Sequence, residues 1–261
     1  MNLIYLLTLL CMWGFLGCED SKNPAQSGLG EIRMVLVDGP TTGVDAVNLV
    51  VKEVSVHQTG ADTLSGWTVI DNTSRTFDLL TLTNGSSAIL GEKQLSPGHY
   101  TQIRLKLGAG STVIVEGQSY PLDIPSGAQT GLKLNHEFDI AANTLYELMV
   151  DFDAARSVRA TGKTYKMAPV IRVVAKVSSG TLSGMVNPVS SRALVTTVVG
   201  ADTVSTAADT ISGAFKLMAL PAGTYTVHIV PSTAAYQDTT LTGVSVVVQQ
   251  NTPVGTITLH P

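Results

Sequence analysis

Apolar and polar side chains alternate along several short stretches of the chain. The clearest alternation runs through residues 101–107, TQIRLKL, and a second one runs through residues 146–152, YELMVDF. A period of two places successive side chains on opposite faces, which is the pattern of a half-buried β-strand. No window has a sustained period near 3.6, so the pattern predicts a protein built from strands.

Turn-forming residues separate these apolar stretches. Asp-Gly-Pro, Asn-Gly, Ser-Pro-Gly and Ser-Gly occur at residues 38–40, 84–85, 96–98 and 126–127. Further β-branched runs occupy residues 32–37, 47–56 and 170–174. Short strands divided by such turns are typical of sandwiches made of antiparallel sheets, so we predict an all-β fold.

Charge density divides the body of the chain in two. Residues 29–178 contain 13 Lys and Arg and 15 Asp and Glu, whereas residues 179–261 contain two basic and three acidic residues. Ser178-Ser179-Gly180 lies at this change and is typical of a short linker. We therefore predict two antiparallel β-sandwich domains, at residues 29–178 and 179–261.

An uncharged apolar segment precedes this body. Residues 1–17 contain no charged side chain, and 13 of the 17 are hydrophobic. The run is shorter than the roughly 20 apolar residues of a membrane-spanning helix, which is typical of a signal peptide. It ends in Phe15-Leu16-Gly17-Cys18, which resembles the lipobox of bacterial lipoproteins.

The lipobox resemblance implies that Cys18 becomes the lipidated mature N-terminus and that residues 18–28 form a tether. The protein would then be attached to the bacterial cell envelope through its N-terminal lipid, at the outer membrane or cell surface rather than the inner membrane. The alternative is an ordinary secretory signal with an incidental cysteine.

Two further resemblances concern the body. Gly213-Ala214-Phe215-Lys216-Leu217, followed by Leu-Pro-Ala-Gly-Thr-Tyr-Thr-Val at residues 220–227, resembles the carboxypeptidase regulatory-like (transthyretin-related) β-sandwich. In the first half, the segments RTFDLL, GHYTQIRL, IPSGAQTGLKL, DFDA and PVIRV, within residues 75–173, resemble domain-of-unknown-function family 4382, which is found in bacterial envelope lipoproteins. These resemblances imply sandwich folds and an envelope setting, but no activity.

Composition excludes several classes of function. Hydrophobic residues make up 44% and charged residues 14%, which disfavours intrinsic disorder. The net charge of −4 gives no basic footprint for nucleic acid. The two cysteines lie within the first 18 residues, so the body cannot form a disulfide or a Cys-based zinc site.

Candidate chemistry is sparse. No Gly-x-Ser-x-Gly, Walker or dinucleotide motif occurs. The sharpest acidic feature is Asp151-Phe152-Asp153, whose carboxylates would share one side of a strand and could bind calcium. Two carboxylates fall short of the six to eight oxygens that calcium takes, so the alternative is a strand end with outward polar residues.

Aromatic residues are the other candidates. Sugar-binding sandwiches use exposed aromatic platforms, and four aromatic residues fall outside the predicted core: Trp67, Tyr120, Tyr165 and Tyr236. The alternative for Trp67 is that it fills an edge of the core.

A tyrosine recurs in both halves after a proline. Pro97 precedes Tyr100 and Pro221 precedes Tyr225, each at the entry to a predicted strand. Tyr225 is in phase with Val227, whereas Tyr100 is out of phase with Ile103. Either a bulge intervenes, or Tyr100 faces away from the main core.

The sequence thus favours a non-enzymatic envelope lipoprotein that acts as a binding or scaffolding module for an envelope protein or a glycan. A carbohydrate-binding surface lipoprotein is the first alternative. A hydrolase is a more distant one, because it requires His and Asp to meet a serine or a metal in a cleft. No cofactor is expected, apart from the calcium considered for Asp151 and Asp153.

Overall fold

A computed structural model describes residues 28–41, 43–62, 65–125, 130–162 and 164–261. The predicted signal peptide, Cys18 and most of the predicted tether lie outside these residues. The N-terminal half, up to residue 178, contains β1 Gly30–Asp38, β2 Ala46–Gln58, β3 Trp67–Asp71, β4 Arg75–Asp78, β5 Ala88–Leu95, β6 Gly98–Leu107, β7 Thr112–Val115, β8 Gln118–Asp123, β9 Leu132–Ile140, β10 Leu145–Phe152, α1 Ala154–Ser157, β11 Val158–Thr161, β12 Thr164–Met167 and β13 Ile171–Ala175. The C-terminal half contains β14 Ser179–Asn187, β15 Leu194–Val199, β16 Asp202–Ala207, β17 Ala214–Pro221, β18 Gly223–Val230, β19 Thr239–Val246 and β20 Asn251–Thr258.

The strands of the N-terminal half form two sheets around one core. Sheet A has the order β13-β10-β1-β5, and sheet B has the order β11-β12-β8-β7-β2-β6-β9, with β3 and β4 also paired to β2. Apolar side chains of both sheets meet between them, among them Met34, Val54, Ile103 and Val150. The alternating stretches of the sequence are β6 and β10, whose apolar positions supply this core.

The C-terminal half repeats the two-sheet arrangement on a smaller scale. Sheet C has the order β17-β14-β20, and sheet D has the order β16-β15-β18-β19. Leu182, Val195, Phe215 and Val227 belong to a second core between them. The prediction of an all-β fold is confirmed.

Pairing in these sheets is mixed rather than purely antiparallel. Among the described strands, β1 pairs in parallel with β10, β8 with β12, and β14 with β20. Each parallel pair joins strands that are far apart in sequence, so no short turn fixes their direction. The alternation of side chains is the same in both arrangements, which is why the sequence pattern could not distinguish them.

A bulge resolves the phase of Tyr100. Relative to β2, strand β6 contains one extra residue at Thr101, because Gln58 pairs with Tyr100 and His57 pairs with Gln102. The extra residue turns Tyr100 inward, where it is 2% exposed and stacks on Phe138 at 5.3 Å between ring centroids. Of the two alternatives, the bulge is therefore the one that occurs.

The two halves are packed against each other. Val35 and Met149 lie on the outer face of sheet A, and they are buried together with Ala219 of β17. The Asn84 side chain donates a hydrogen bond to the Ala214 carbonyl oxygen at 3.1 Å. The outer face of sheet A is thus apolar where the C-terminal half covers it.

Within the described residues, no helix has the length and apolar character needed to cross a membrane.

Candidate functional site

Asp151 lies near the end of β10 and belongs to the junction between the halves. Its Oδ2 accepts a hydrogen bond from Nη2 of Arg172 on β13 at 2.6 Å. The Nη1 of Arg172 donates to the carbonyl oxygen of Ala219 in the C-terminal half at 2.7 Å. Burial raises the pKa of Asp151, and the Arg172 guanidinium opposes this rise. Asp151 therefore holds the arginine that ties the two halves together.

Asp153 has a different task. Its Oδ1 accepts the backbone N–H of Arg156 at 2.8 Å and so caps the first turn of α1. The Arg156 guanidinium lies 3.7 Å from Asp153 and 3.6 Å from Asp202 of the C-terminal half. A second charged contact thus crosses the junction beside the first.

These two carboxylates flank the buried Phe152 as expected, but they have separate partners. Asp151 is paired with Arg172, and Asp153 is occupied by the helix cap. No group of three or more His, Cys, Asp or Glu side chains that could bind a metal is found in the described part of the chain. The calcium site therefore remains a prediction without a ligand set.

Asp38 is a buried titratable side chain that the sequence did not single out. It is the last residue of β1 and is 6% exposed. Its Oδ1 accepts the backbone N–H of Ala154 at 2.9 Å, whereas its buried Oδ2 has no hydrogen-bond partner among the described residues. Burial raises the pKa of Asp38 to about 9, and the nearby Asp151 and Asp153 act in the same direction. This side chain is therefore a neutral acid at neutral pH.

Two small cavities lie at this junction. Each has a volume of about 20 Å³ and is lined by residues of both halves, including Asp151 and Ser205. A space of this size holds about one water molecule. These two cavities are consequently too small for an organic substrate. A third cavity at the junction has a volume of about 590 Å³ and is lined by Met149 and Lys176 of the N-terminal half and by Lys216 and Met218 of the C-terminal half.

The four predicted aromatic residues do not form one platform. Tyr120 and Tyr165 contact each other at 5.4 Å between ring centroids and pack against the first core. Tyr236 lies in the C-terminal half, where its hydroxyl is 3.1 Å from that of Ser190. Tyr120 pairs with Val113 of β7, which pairs with Val47 of β2. Trp67 pairs with His57 of β2, ten residues further along that strand. That separation is about 33 Å at the rise of a strand.

Trp67 lies on the outer face of sheet B among cationic side chains. The guanidinium carbon of Arg104 is 4.2 Å from the centre of its ring, and Nζ of Lys133 is 5.6 Å from it. The His57 ring lies 5.2 Å away and is tilted by 58°. Trp67 is half-buried, and it contributes to this surface rather than to the core between the sheets.

Solved structures resemble the chain only weakly. A cohesin–X-dockerin complex (type II, a C-terminal interface mutant) from Acetivibrio cellulolyticus is 28% identical over 31% of this chain, which spans 56% of the length of that one, with a TM-score of 0.24. The shaft pilin SpaA from Lactobacillus rhamnosus GG is 9% identical over 90% of this chain and 98% of that one, with a TM-score of 0.27. The minor pilin GBS52 from Streptococcus agalactiae is 12% identical over 87% and 95%, with a TM-score of 0.23. Scores at this level define neither a shared fold nor a shared function.

No curated protein matches the chain. One family model does, namely the domain of unknown function DUF4382, which matches residues 29–169. The match covers sheets A and B almost completely and more than half of the sequence. The chain therefore belongs to the DUF4382 family.

Proposed function

We propose that the protein is a non-enzymatic binding or scaffolding module of the bacterial cell envelope, anchored by a lipid on Cys18. The observation that carries this proposal is the direction of β1 relative to the packed halves. Strand β1 begins at Gly30, directly after the predicted tether, and ends at Asp38 beside the C-terminal half. Its nine residues span about 30 Å.

This direction separates the two ends of the molecule. The start of β1 pairs with Leu95 and Leu145 at one end of sheet A. The residues of sheet A that are buried with the C-terminal half, Val35 and Met149, lie just past the middle of their strands, and Asp38 at the far end of β1 lines a cavity together with Ser205 of the C-terminal half. A lipid on Cys18 would therefore hold the first end at the membrane and present the C-terminal half away from it.

The contacts across the junction support a fixed presentation. Arg172 and Asn84 donate hydrogen bonds to backbone carbonyls of β17, and Arg156 approaches Asp202. Backbone partners do not change rotamer, so such bonds fix the position of one half against the other more firmly than exposed ion pairs do.

The histidines support a non-enzymatic role. Among the described residues, His99 bonds to the Asp139 carboxylate at 2.9 Å and His228 to the Thr240 hydroxyl at 3.3 Å. In a hydrolytic triad the same ring must contact both a hydroxyl and a carboxylate. Neither of these rings has both partners in the described part of the chain.

The C-terminal half is, in this proposal, a carboxypeptidase regulatory-like sandwich. Phe215 and Leu217 of β17 are buried on one face, and Val227 of β18 is buried opposite them. Tyr225 is half-buried at the edge of this core, and its hydroxyl donates to the Pro221 carbonyl at 2.7 Å. These are the positions that carry the sequence resemblance.

The test is fractionation of cells that produce the full chain. Cys18→Ser removes the acylated thiol and is expected to move the protein from the membrane to the soluble fraction. Cys11→Ser is the matched control, because it changes a cysteine of the same apolar run without removing the lipidation site, and it is expected to leave the protein in the membrane. Retention of the Cys18→Ser protein in the membrane would contradict lipid anchoring.

Proteinase treatment of intact cells then distinguishes the membrane sides. Digestion of the wild-type protein in intact cells is expected for the outer surface. Digestion only after the envelope is opened would place the protein inside it.

A further inference from the structure

The outer face of sheet B carries a flat set of polar and aromatic side chains around Trp67. Registers across β3, β2, β6 and β9 place these side chains in successive rows. The first row is Trp67, His57, Gln102 and Asn135, the second is Ser55, Arg104 and Lys133, and the third is Glu53 and Lys106. We call these nine residues the Trp67 face.

The inner layer of the Trp67 face is covered and ordered. Ser55 is 0% and His57 is 7% exposed, although both point away from the core between the sheets. The Nε of Arg104 donates to the Ser55 hydroxyl at 3.2 Å, and its guanidinium also stacks on the Trp67 ring at 4.2 Å. The indole is therefore held in place by a cation–π contact rather than left to rotate.

The Trp67 face is positively charged in a protein of net charge −4. Arg104, Lys106 and Lys133 contribute three positive charges, and Glu53 contributes one negative charge. Glu53 pairs with Lys106 at 2.8 Å and with Arg104 at 3.3 Å, so the nine residues have three positive charges against one negative charge, a net of +2, and Lys133 is the cation outside this pairing. Lys93 adds a further cation at the border, where its Nζ donates to the Val69 carbonyl at 2.5 Å. On the other side of the first row, Glu137 and Asp139 continue the same face of β9 as exposed carboxylates, and His99 contacts Asp139 at 2.9 Å. The positive charge is therefore concentrated at Arg104, Lys106 and Lys133.

A glycine makes room for the aliphatic stems of two of these cationic side chains. Gly131 has a φ of +78°, and a Cβ there would lie 2.9 Å from Cγ of Arg104 and 3.0 Å from Cγ of Lys106. The absence of a side chain at this position leaves room for both stems against the backbone. Gly131, directly before β9, thus accommodates the cationic side chains.

Three kinds of group therefore lie together: an aromatic ring, a pair of amides and several cations. An indole stacks on the apolar face of a sugar ring, and the paired amides of Gln102 and Asn135, 3.0 Å apart, match sugar hydroxyls. Lysine and arginine match carboxylates. We propose that the Trp67 face binds an acidic polysaccharide whose sugars carry carboxylates, such as a polyuronate.

This ligand class deepens the proposed function, on which it rests for its envelope setting. Single-stranded nucleic acid is an alternative polyanion, because its bases also stack on aromatic side chains. Proteins that bind it use several aromatic side chains in succession. The Trp67 face has one tryptophan, and Tyr120 and Tyr165 lie remote from it and pack against the core. The geometry thus favours the glycan.

Trp67 supplies its own readout. The sequence has two tryptophans, and Trp13 lies in the predicted signal peptide. The fluorescence of the mature lipoprotein, purified in detergent, therefore reports on Trp67. We expect hexagalacturonate to change this fluorescence saturably, dextran of similar length to leave it unchanged, and added salt to weaken the effect.

Lys133→Glu and Lys166→Glu form a matched pair of variants. Both lysines are exposed and lie on sheet B, but Lys166 lies on β12, remote from Trp67. Lys133→Glu is expected to raise the dissociation constant for hexagalacturonate at least tenfold, whereas Lys166→Glu is expected to leave it within twofold of wild type. Both are surface changes, so the fold should be retained, which circular dichroism would confirm.

Three results would overturn the proposal. They are no saturable binding of hexagalacturonate by fluorescence or calorimetry, an equal loss of affinity in both variants, and tighter binding of a single-stranded oligonucleotide of the same charge. None of them bears on the Cys18→Ser fractionation, so failure of the glycan proposal and failure of the anchoring proposal are distinguishable.

Discussion

At the scale of the residue, the burial and the hydrogen bonds of a few side chains are determined by contacts with residues that are distant in the sequence. Asp38 follows an apolar strand and precedes Gly39-Pro40, which in sequence is typical of an exposed turn. Its burial arises because α1, more than 100 residues later, donates the N–H of Ala154 to it. Arg172 likewise occurs in an ordinary strand pattern, and its bond to Ala219 joins the other half.

The raised pKa of Asp38 predicts how the stability of the folded protein depends on pH. The unfolded chain releases the Asp38 proton near pH 4, whereas the folded protein holds it up to about pH 9. The raised pKa therefore favours the folded state fully below about pH 4, and this contribution is lost as the pH rises toward 9. Asp38→Asn keeps the shape of the neutral acid without its titrating proton and should remove this loss.

We expect the Asp38→Asn variant to melt within about 1 °C of wild type at pH 4.5 and at least about 4 °C higher at pH 8.5, which corresponds to about 2 kcal/mol in a domain of this size. Calorimetry at the two pH values measures this difference. Other titrating groups are common to both proteins and cancel. Parallel melting of the two proteins at both pH values would contradict a buried neutral Asp38.

At the scale of the element, the two halves use the same device where a turn enters a strand. The Tyr100 hydroxyl donates to the Ser96 carbonyl at 3.0 Å, and the Tyr225 hydroxyl donates to the Pro221 carbonyl at 2.7 Å. In both, the partner is four residues earlier, as in the tyrosine corners of other β-sandwiches. The recurrence of Pro and Tyr in the sequence has this physical basis.

The two tyrosines differ in burial, which separates their energetic roles. Tyr100 is 2% exposed in the first core, whereas Tyr225 is half-buried at the edge of the second. Tyr100→Ala should therefore cost about 3–5 kcal/mol of unfolding free energy, and Tyr225→Ala about 2 kcal/mol. The Phe variants, which lose only the corner hydrogen bond, should cost about 1 kcal/mol each. Urea denaturation measures all four, and an equal or larger cost at Tyr225→Ala would refute this ranking.

The positions of the strands could be predicted from the sequence because the pattern that indicates a strand is local. The alternation in β6 and β10 and the turns around them are properties of short segments, so the strand positions follow from the pattern. Parallel pairing of β1 with β10 is not local, and neither is the bulge that turns Tyr100 inward. Met149 occupies an outward position of β10, and only the cover provided by Ala219 explains why it is apolar.

Only part of the Trp67 face could be predicted from the sequence, because its assembly depends on contacts that are not local. Trp67 is recognisable because tryptophan is rare in this chain. Arg104 and Lys133 were hidden in the outward positions of alternating strands, where charged residues are the rule. The register of four strands brings them to the indole, and register is set by the whole sheet.

At the scale of the whole molecule, the halves are expected to move as one body. Linkers this short allow either docked or hinged domains, and the contacts decide between them. Apolar contacts of Val35 and Met149 with Ala219 are surrounded by polar bonds from Arg172 and Asn84. A scaffold that presents one end away from the membrane depends on this docking.

The most direct test of this docking is a distance distribution between two spin labels, measured by double electron–electron resonance. The labels are attached at Glu137→Cys on β9 and Thr256→Cys on β20, two exposed strand positions in different halves, in the soluble body that begins at Glu19 and has no other cysteine. Docked halves predict one narrow distribution, no broader than that of a pair placed within sheet B. A broad or multiple distribution would show that the halves are hinged, and it would contradict the rigid scaffold.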